Sequence, residues 1–172
     1  MLQHTAKLEV SANRNDSSIA VIVLVTNENA GHDIPTDQPI RNIILLVEAK
    51  DSFGKSLPYH GNQAVPDWGG TRSGAGNYAG QPGKGYAKIL QELWTEVAPS
   101  IAYWRQTKII EDNRIAARKT DSSSYEFQAP SGDGPVTVTA RLIFRRAFKQ
   151  LAEQKGWDNP DILMNQTSIV IP

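Results

Sequence analysis

The stretch SIAVIVLVTN, residues 18–27, decides the fold. It is rich in β-branched residues and lacks the spacing of an amphipathic helix, so it predicts a buried strand. The stretch NIILLVEAK, residues 42–50, has the same character, and DSFGK, residues 51–55, is typical of the hairpin turn that would follow it. Upstream, AKLEVSAN, residues 6–13, alternates apolar and polar side chains, which is typical of a half-buried strand. The first third of the chain is therefore predicted to be β-structure.

The last third predicts more strands and one helix. The predicted strands are YWRQTKIIED (103–112), SSYEFQAP (123–130), PVTVTARLIFRR (135–146) and TSIVIP (167–172). Between the last two, RRAFKQLAEQKGW (145–157) places apolar residues on one helical face, and Gly156 is a typical helix stop. About seven strands with one or two short helices predict a mostly β fold, an Ig-like Greek-key β-sandwich that forms a single domain over residues 1–172.

The middle of the chain, residues 58–105, is predicted to be a long insertion rich in glycine, proline and aromatic residues. Prolines and glycines exclude a regular element over 58–86, yet disordered linkers are poor in aromatic residues. We therefore expect an ordered insertion that packs Trp68, Tyr78 or Tyr86 against the sandwich. Helical spacing of the apolar residues in KGYAKILQELW, residues 84–94, predicts a short helix there.

Composition excludes several classes of partner and cofactor chemistry. The 18 Lys and Arg residues balance the 18 Asp and Glu residues, so the chain lacks the net charge that attracts nucleic acid or anionic membranes. The longest apolar run, residues 19–25, is too short to span a bilayer, which predicts no membrane insertion by this segment. The absence of cysteine excludes disulfides, thiol nucleophiles and covalent haem attachment within the chain. No signal peptide is visible, which leaves a cytosolic protein or a fragment of a longer one.

Motifs for catalysis and metal binding are weak. The Gly83–Lys84 pair fails the spacing of a phosphate-binding P-loop on both sides. Ser73 and Ser131 lie beside glycines, but no nucleophile-elbow motif surrounds them, so a small hydrolase is only a third hypothesis. The three histidines are far apart in sequence, and we predict neither catalytic residues nor a metal site.

Two polar segments interrupt the strands and predict a network of ion pairs. The first is NENAGHDIPTDQP, residues 27–39, and the second is IIEDNRIAARKTD, residues 109–121. Arginine pairs with carboxylates in bidentate geometry and can join two loops in this way. The favoured interpretation is a structural network of Asp33, Asp37, Arg41, Asp112 and Arg114. A ligand site built from the same residues is the alternative.

Several of these segments together resemble a known family. VTNENAGHDIPT, residues 25–36, resembles the N-x-G-A-G-H-x-x-P-T motif in the non-haem domain of bacterial multihaem c-type cytochromes. NYAGQPGKGYAKIL, IIEDNRI, SSYEFQAP and TARLIFRRAFKQLAEQKGWDNPDILM are similar to the rest of that C-terminal domain, in the same order. The resemblance covers about residues 21–164. The chain departs from the family pattern in having no C-x-x-C-H motif and in carrying Asp37 where many relatives have glycine.

The resemblance implies an accessory domain cut from a larger electron-transfer protein. Haem c would be attached N-terminal to this segment, outside the cytoplasm, which implies a periplasmic or cell-surface location and no cofactor in this chain. The partners implied are the N-terminal haem domain of the same protein and a further redox protein. The domain itself would not be an enzyme, whereas its full-length parent could be an oxidoreductase.

The resemblance also suggests roles for individual side chains. His32 would either form hydrogen bonds within its own loop or reach a haem iron of the missing region as an axial ligand. Four aromatic residues are candidate contacts: Trp68, Tyr78, Trp94 and Trp104, although we expect at least half of the tryptophans to pack in the core. A carbohydrate- or ligand-binding sandwich that uses the insertion as its binding face is the alternative function.

Overall fold

The computed structural model describes residues 2–36, 38–70, 74–102 and 104–172. The strands are β1 Ala6–Arg14, β2 Ser18–Asn27, β3 Asn42–Lys50, β4 Gly83–Tyr86, β5 Lys88–Glu92, β6 Thr107–Asp112, β7 Thr120–Gln128, β8 Val136–Arg145 and β9 Ile162–Ile171. One helix, α1, spans Lys149–Lys155, and two 3-10 turns lie at Leu2–His4 and Asp67–Gly69.

Two antiparallel sheets form the predicted β-sandwich. One sheet has the strand order β1-β2-β7 and the other has the order β4-β3-β8-β9. The pairing of β2 with β7 in one sheet, and of β3 with β8 and β8 with β9 in the other, is the arrangement of Ig-like Greek-key sandwiches. The prediction of a mostly β, Ig-like fold is confirmed.

The inner faces of the two sheets form the main core. On β2, Ile19, Val21, Val23 and Val25 are buried at alternate positions, because a strand that covers one face of a sandwich buries every second side chain. On β8, every second residue from Val136 to Leu142 faces them. The main core thus follows the alternation visible in the sequence.

The strand β3 is buried on both faces. Ile43, Leu45 and Val47 face the main core, whereas Ile44 and Leu46 face outward and are buried too. The first part of the insertion covers this outer face, and it contributes Val65, Trp68 and Tyr78. This cover explains why residues 42–50 read as a continuous apolar run rather than an alternating one.

The short strand β4 fits into this arrangement because of its two glycines. A Cβ atom at Gly85 would overlap the six-membered ring of Trp68, and one at Gly83 would overlap the carbonyl oxygen of Leu45. The alternate residues, Lys84 and Tyr86, point to the other side of the sheet, where Tyr86 is fully buried in the main core. The described residues of 58–86 therefore pack against the sandwich through Trp68, Tyr78 and Tyr86, as predicted.

The predicted helix over residues 84–94 is wrong, and the predicted insertion of 58–105 is not one unit. Its residues form β4 of the sandwich and then β5, which pairs with β6 in a separate two-stranded ribbon. We call residues 87–113 the arm. A register shift between Ile89 and Leu90 interrupts the strand alternation of the arm, and the resulting spacing of apolar residues imitates that of a helix.

The predicted helix near the C-terminus is confirmed as α1. Gly156 adopts a left-handed conformation at φ 64°, and its N–H and that of Trp157 donate to the carbonyls of Glu153 and Ala152. These two bonds form a Schellman motif, which ends the helix. The sequence signal at Gly156 therefore located the end of the helix correctly.

The loops and the arm are divided unequally between the two ends of the sandwich. The loop 28–41, the arm and the segment 146–161 all leave the strands at one end, which we call the arm end. The turns 15–17, 51–55 and 129–135 lie at the opposite end. In the described part of the chain no helix is long and apolar enough to cross a membrane.

Candidate functional site

The loop 28–41 is fixed to the arm end by one buried side chain that the sequence did not single out. Asn27, the last residue of β2, is fully buried, and its amide nitrogen donates to the carbonyls of His32 (2.8 Å) and Ile115 (3.0 Å). Ile34 and Ile115 also exchange two backbone hydrogen bonds of 3.0 Å each. The loop is therefore held at two points against the segment that follows the arm.

An ion-pair cluster adds a third attachment between these segments. The Arg114 guanidinium donates to both oxygens of Asp112 at 2.7 Å, and its Nη2 lies 3.4 Å from Asp33. Hydrogen bonding from Arg114 lowers the pKa of Asp112 below its usual range. The structure thus joins three of the five predicted network residues. Arg41 lies in the same loop, whereas Asp37 lies outside the described residues.

The ring of His32 is exposed at the surface of this loop. Its Nδ1 lies 3.0 Å from the backbone carbonyl of Asp33. A carbonyl oxygen only accepts, so this bond places the proton on Nδ1 and leaves the lone pair on Nε2. The loop therefore presents an imidazole in the tautomer that can donate an electron pair through Nε2.

The arm leads away from this loop and is organised around Glu92. The Glu92 carboxylate accepts hydrogen bonds from Thr95 (2.7 Å), Ser100 (3.2 Å) and Arg105 (2.8 Å). The bonds from Thr95 and Arg105 lower the pKa of Glu92. At the root of the arm, Ala87 and Ile89 pack against α1. The tip thus has a polar centre, and the root is fastened by apolar contacts.

The candidate contact aromatics divide into two pairs. Trp68 and Tyr78 pack on the outer face of the four-stranded sheet, and the Trp68 ring meets Phe148 edge to face at 5.5 Å. Trp94 and Trp104 lie in the arm and are 83% and 69% exposed. Trp157 is exposed as well, so the expectation that at least half of the tryptophans pack in the core is wrong. Of the predicted four, the arm pair is the more exposed.

A charged residue, which the sequence analysis also missed, connects three segments at the arm end. Arg145, the last residue of β8, is 4% exposed. It donates to both oxygens of Asp161 (2.8 and 2.7 Å) and to the carbonyls of Gly69 and Gly76, and it lies 5.3 Å from the centre of the Tyr78 ring. The signal for this role is its position: it follows Ile143 by two residues, on the covered outer face of β8.

The edge of the sandwich holds a further polar cluster. Asp121 on β7 accepts from Lys84 (2.7 Å) and from the hydroxyl of Tyr86 (2.9 Å), which both lie on β4 of the other sheet. Burial, together with the Asp121 charge, raises the pKa of the Tyr86 hydroxyl far above its usual value. This cluster connects the two sheets at an edge where no strand links them, so its role is structural.

The structure provides little support for the hydrolase hypothesis. Ser131 lies in the exposed turn 129–135 at the opposite end from His32, and Ser73 lies outside the described residues. Among residues 2–36, 38–70, 74–102 and 104–172, no three His, Asp or Glu side chains form a group that could hold a metal ion.

Comparison with known proteins gives one structural likeness. The sequence matches no protein-family model and no curated protein. The structure is similar to the crystal structure of a penta-heme cytochrome c552 from Thermochromatium tepidum, with a TM-score of 0.71 and 20% sequence identity. The match covers 99% of this chain and 40% of that one, so the chain spans less than half the length of its neighbour. The whole Ig-like sandwich, including its arm end, thus has the fold of one part of a multihaem cytochrome.

Proposed function

We propose that this chain is the non-haem sandwich domain of a multihaem c-type cytochrome, an exported electron-transfer protein, and that it docks through its arm end on the haem-bearing region. It performs no catalysis of its own. The observation that carries the proposal is the likeness of nearly the whole chain to part of a penta-haem cytochrome, together with the motif at residues 25–36. The haem c groups belong to the remainder of such a protein.

The arm supplies the surface for docking. Eleven large apolar side chains are exposed in the described residues, and six of them lie between Leu93 and Ile110: Leu93, Trp94, Val97, Trp104, Ile109 and Ile110. Large exposed apolar patches on soluble proteins mark interaction sites, and tryptophan is enriched among the residues that dominate binding energy. The haem-bearing region is the partner that we propose for this surface.

The arm also has the length for this task. Five residues of β5 extend about 17 Å at about 3.4 Å per residue, which is long enough for an extended contact with a partner. Every residue of β6 after Thr107 is exposed, which leaves the outer side of the ribbon open. A ribbon of this kind can lie along a partner surface while its root remains packed on α1 and Trp68.

His32 gives the same end of the molecule a group suited to haem iron. The hydrogen bond from Nδ1 to the Asp33 carbonyl fixes the tautomer of the ring. Histidines that ligate a metal through Nε2 usually donate a hydrogen bond from Nδ1 in this way. A haem bound in the neighbouring region would supply the iron, and His32 would donate an electron pair to it through Nε2. We therefore include His32 in the proposal as an axial ligand in trans, the alternative being a purely local hydrogen-bonding role.

The coding sequence on the N-terminal side tests the proposed function. We expect several C-x-x-C-H motifs there, preceded by an export signal. A coding sequence without any haem-attachment motif would refute the proposal.

A haem peptide tests His32 directly. Microperoxidase carries one c-type haem with an open axial position, and binding of an imidazole to it shifts the Soret band toward the low-spin spectrum. We expect the isolated domain to cause this shift, and the variant His32→Ala to lose it. The variant His4→Ala is the matched control, because His4 is also exposed at the arm end and Asn29 donates to its carbonyl. Equal shifts from both variants would rule out the ligand role while leaving the docking role intact.

A further inference from the structure

A cavity at the arm end is separate from the exposed apolar residues of the arm and from the His32 side chain. It has a volume of about 660 Å³ and lies between the insertion, the start of α1 and the segment 156–161. Its floor contains Ile40 and Ala147, and its rim contains Arg146, Trp157 and Asn159. This volume is within the usual range of about 300–1,000 Å³ for small-molecule sites.

The walls of the cavity are fixed by bonds that the chain itself makes. The segment 156–161 is held at one end by the Schellman motif of α1 and at the other by the bidentate pair of Asp161 with Arg145. The same guanidinium holds the facing wall through the carbonyls of Gly69 and Gly76. Because both walls depend on one buried arginine, the cavity is preorganised, which lowers the entropic cost of binding.

The lining determines which class of ligand fits. Trp157 is 45% exposed and offers a flat apolar surface. Around it stand two cationic side chains, Arg146 and Lys149, and one carboxylate, Asp158. Arg145 and Asp161 neutralise each other at the base. Asp158 would repel an anionic ligand, and Arg146 and Lys149 would repel a cationic one. Hydroxyl groups, in contrast, can accept hydrogen bonds from the two cations and donate one to the carboxylate.

We propose that this cavity binds a neutral saccharide, with one pyranose ring stacked on Trp157 and its hydroxyls bonded to Arg146, Asp158 and Asn159. The apolar C–H face of the sugar covers the indole, and the planar polar groups at the rim provide hydrogen bonds on both sides. Among the described residues of the arm none lines this site, so it can be tested separately from the docking surface of the arm. It overlaps the predicted binding face only through Ala75, Gly76 and Tyr78, since Trp68 and Tyr86 of the insertion pack inward.

Calorimetric titration of the domain with neutral hexasaccharides tests the site. The probes are cellohexaose, maltohexaose, xylohexaose and chitin hexaose, with polygalacturonate and chitosan as the anionic and cationic counterparts. We expect at least one neutral probe to bind, and the variant Trp157→Ala to weaken that binding by about tenfold or more, since it removes the stacking surface. Asn159→Ala is expected to weaken it by about threefold to fivefold through a lost hydrogen bond.

Matched controls make the outcomes decisive. The variant Phe53→Ala removes an exposed aromatic ring from the turn at the opposite end of the sandwich and is expected to bind the same probe within about twofold of the parent protein. Thermal unfolding of each variant shows whether the fold persists. Trp157 is exposed enough that the unfolding midpoint of the variant Trp157→Ala is expected to stay unchanged. The proposal is overturned if all four neutral probes fail, if only a charged polymer binds, or if Trp157→Ala binds as the parent does. None of these results bears on whether haem motifs precede the domain.

Discussion

At the residue scale, Arg145 does more for the arm end than any residue of the predicted network. Its guanidinium joins β8 to the insertion and to the segment before β9. The alternating pattern of residues 136–145 correctly predicts the strand, but it cannot show that an insertion 70 residues earlier in the chain covers the outer face. An arginine at the end of a strand is usually solvated, and only the tertiary cover makes this one buried.

Removal of Arg145 is expected to destabilise the protein strongly. In Arg145→Met, Asp161 loses its ion-pair partner and the carbonyls of Gly69 and Gly76 each lose a hydrogen bond. A broken buried ion pair costs about 3–5 kcal/mol in the free energy of unfolding. The neighbouring variant Arg146→Met is the control, because Arg146 is exposed and makes one bond of 3.3 Å to Asn159. Urea unfolding measures both variants. Equal midpoints would contradict the role assigned to Arg145.

The pair of Asp112 and Arg114 predicts a specific dependence of stability on pH. The pKa of Asp112 is lowered in the folded state, so its contribution is present above about pH 4, the usual value for aspartate, and is lost as pH falls through the folded pKa. The variant Asp112→Asn is expected to be about 1–2 kcal/mol less stable at pH 7, because the partner Arg114 is only 17% exposed. The difference is expected to shrink toward zero near pH 2. Denaturant unfolding across this range checks the sign, and a constant difference would refute it.

Gly85 shows why a glycine-rich segment need not be mobile. A methyl group at this position would overlap the Trp68 ring, so Gly85→Ala is expected to cost about 1–3 kcal/mol in stability through overpacking. Gly132→Ala is the control, since a Cβ there meets nothing within 4 Å. Thermal unfolding of the two variants distinguishes them. If Gly85→Ala unfolds at the temperature of the parent, the close packing of β4 on Trp68 is not maintained in solution.

At the element scale, the strands of the sandwich could be predicted and the arm could not. Residues 18–27 and 42–50 carry long β-branched runs, and their bounds agree with β2 and β3. The arm reads as a helix because Tyr86, Ile89, Leu90 and Leu93 are spaced three and four apart. That spacing arises instead from a strand of the sandwich, a break at Ala87 and a bulged ribbon. Local periodicity cannot distinguish these cases, because the choice depends on the pairing with β6, about 20 residues later.

Hydrogen exchange is expected to separate the arm from the sandwich. A two-stranded ribbon is marginally stable by itself, whereas β3 lies between two strands and is buried on both faces. Backbone amides of Leu90 and Ile109 are expected to exchange at least about tenfold faster than those of Ile44 and Leu45. Uniform protection would show that the arm unfolds only together with the sandwich.

The same experiment tests the insertion. Amides of residues 78–86 are expected to be protected, since the Gly80 N–H donates to the Val65 carbonyl, the Val65 N–H donates to the Gln81 carbonyl, and Tyr86 is fully buried. Exchange as fast as in an unfolded peptide would contradict the packing of this segment on β3. The sequence indicated that this segment is ordered only through its number of aromatic residues. That number does not tell which rings point inward.

At the scale of the whole molecule, the polar network and the histidine lie at the same end as the arm, the helix and the cavity. The family motif located part of this end from sequence alone, through His32 and its loop. It could not show that the segments 28–41, 87–113 and 146–161 meet, because their neighbourhood follows from the strand order of two sheets. The residues that hold the end together, Asn27 and Arg145, lie within the segments that resemble the family, but the resemblance does not show what their side chains contact.

The whole domain is expected to be colourless even when it is produced with the enzymes that attach haem c. The chain has no cysteine, so it offers no thioether attachment point. The measurement is the absorption spectrum after acid–acetone extraction, which removes haem that is not covalently attached. A Soret band that survives the extraction would contradict this expectation.

The hairpin turn at the opposite end has a practical consequence. Phe53 at its tip is 95% exposed, and the nine residues of β3 place it about 30 Å from the arm end. Since the chain contains no cysteine, the substitution Phe53→Cys creates a single thiol to which one fluorescent dye can be attached. Haem absorbs visible light and quenches such a dye by resonance energy transfer over this range. A dye on this turn thus serves as a distance probe. Its brightness in an intact cytochrome would report how far the haems lie from the end of the sandwich that carries no arm.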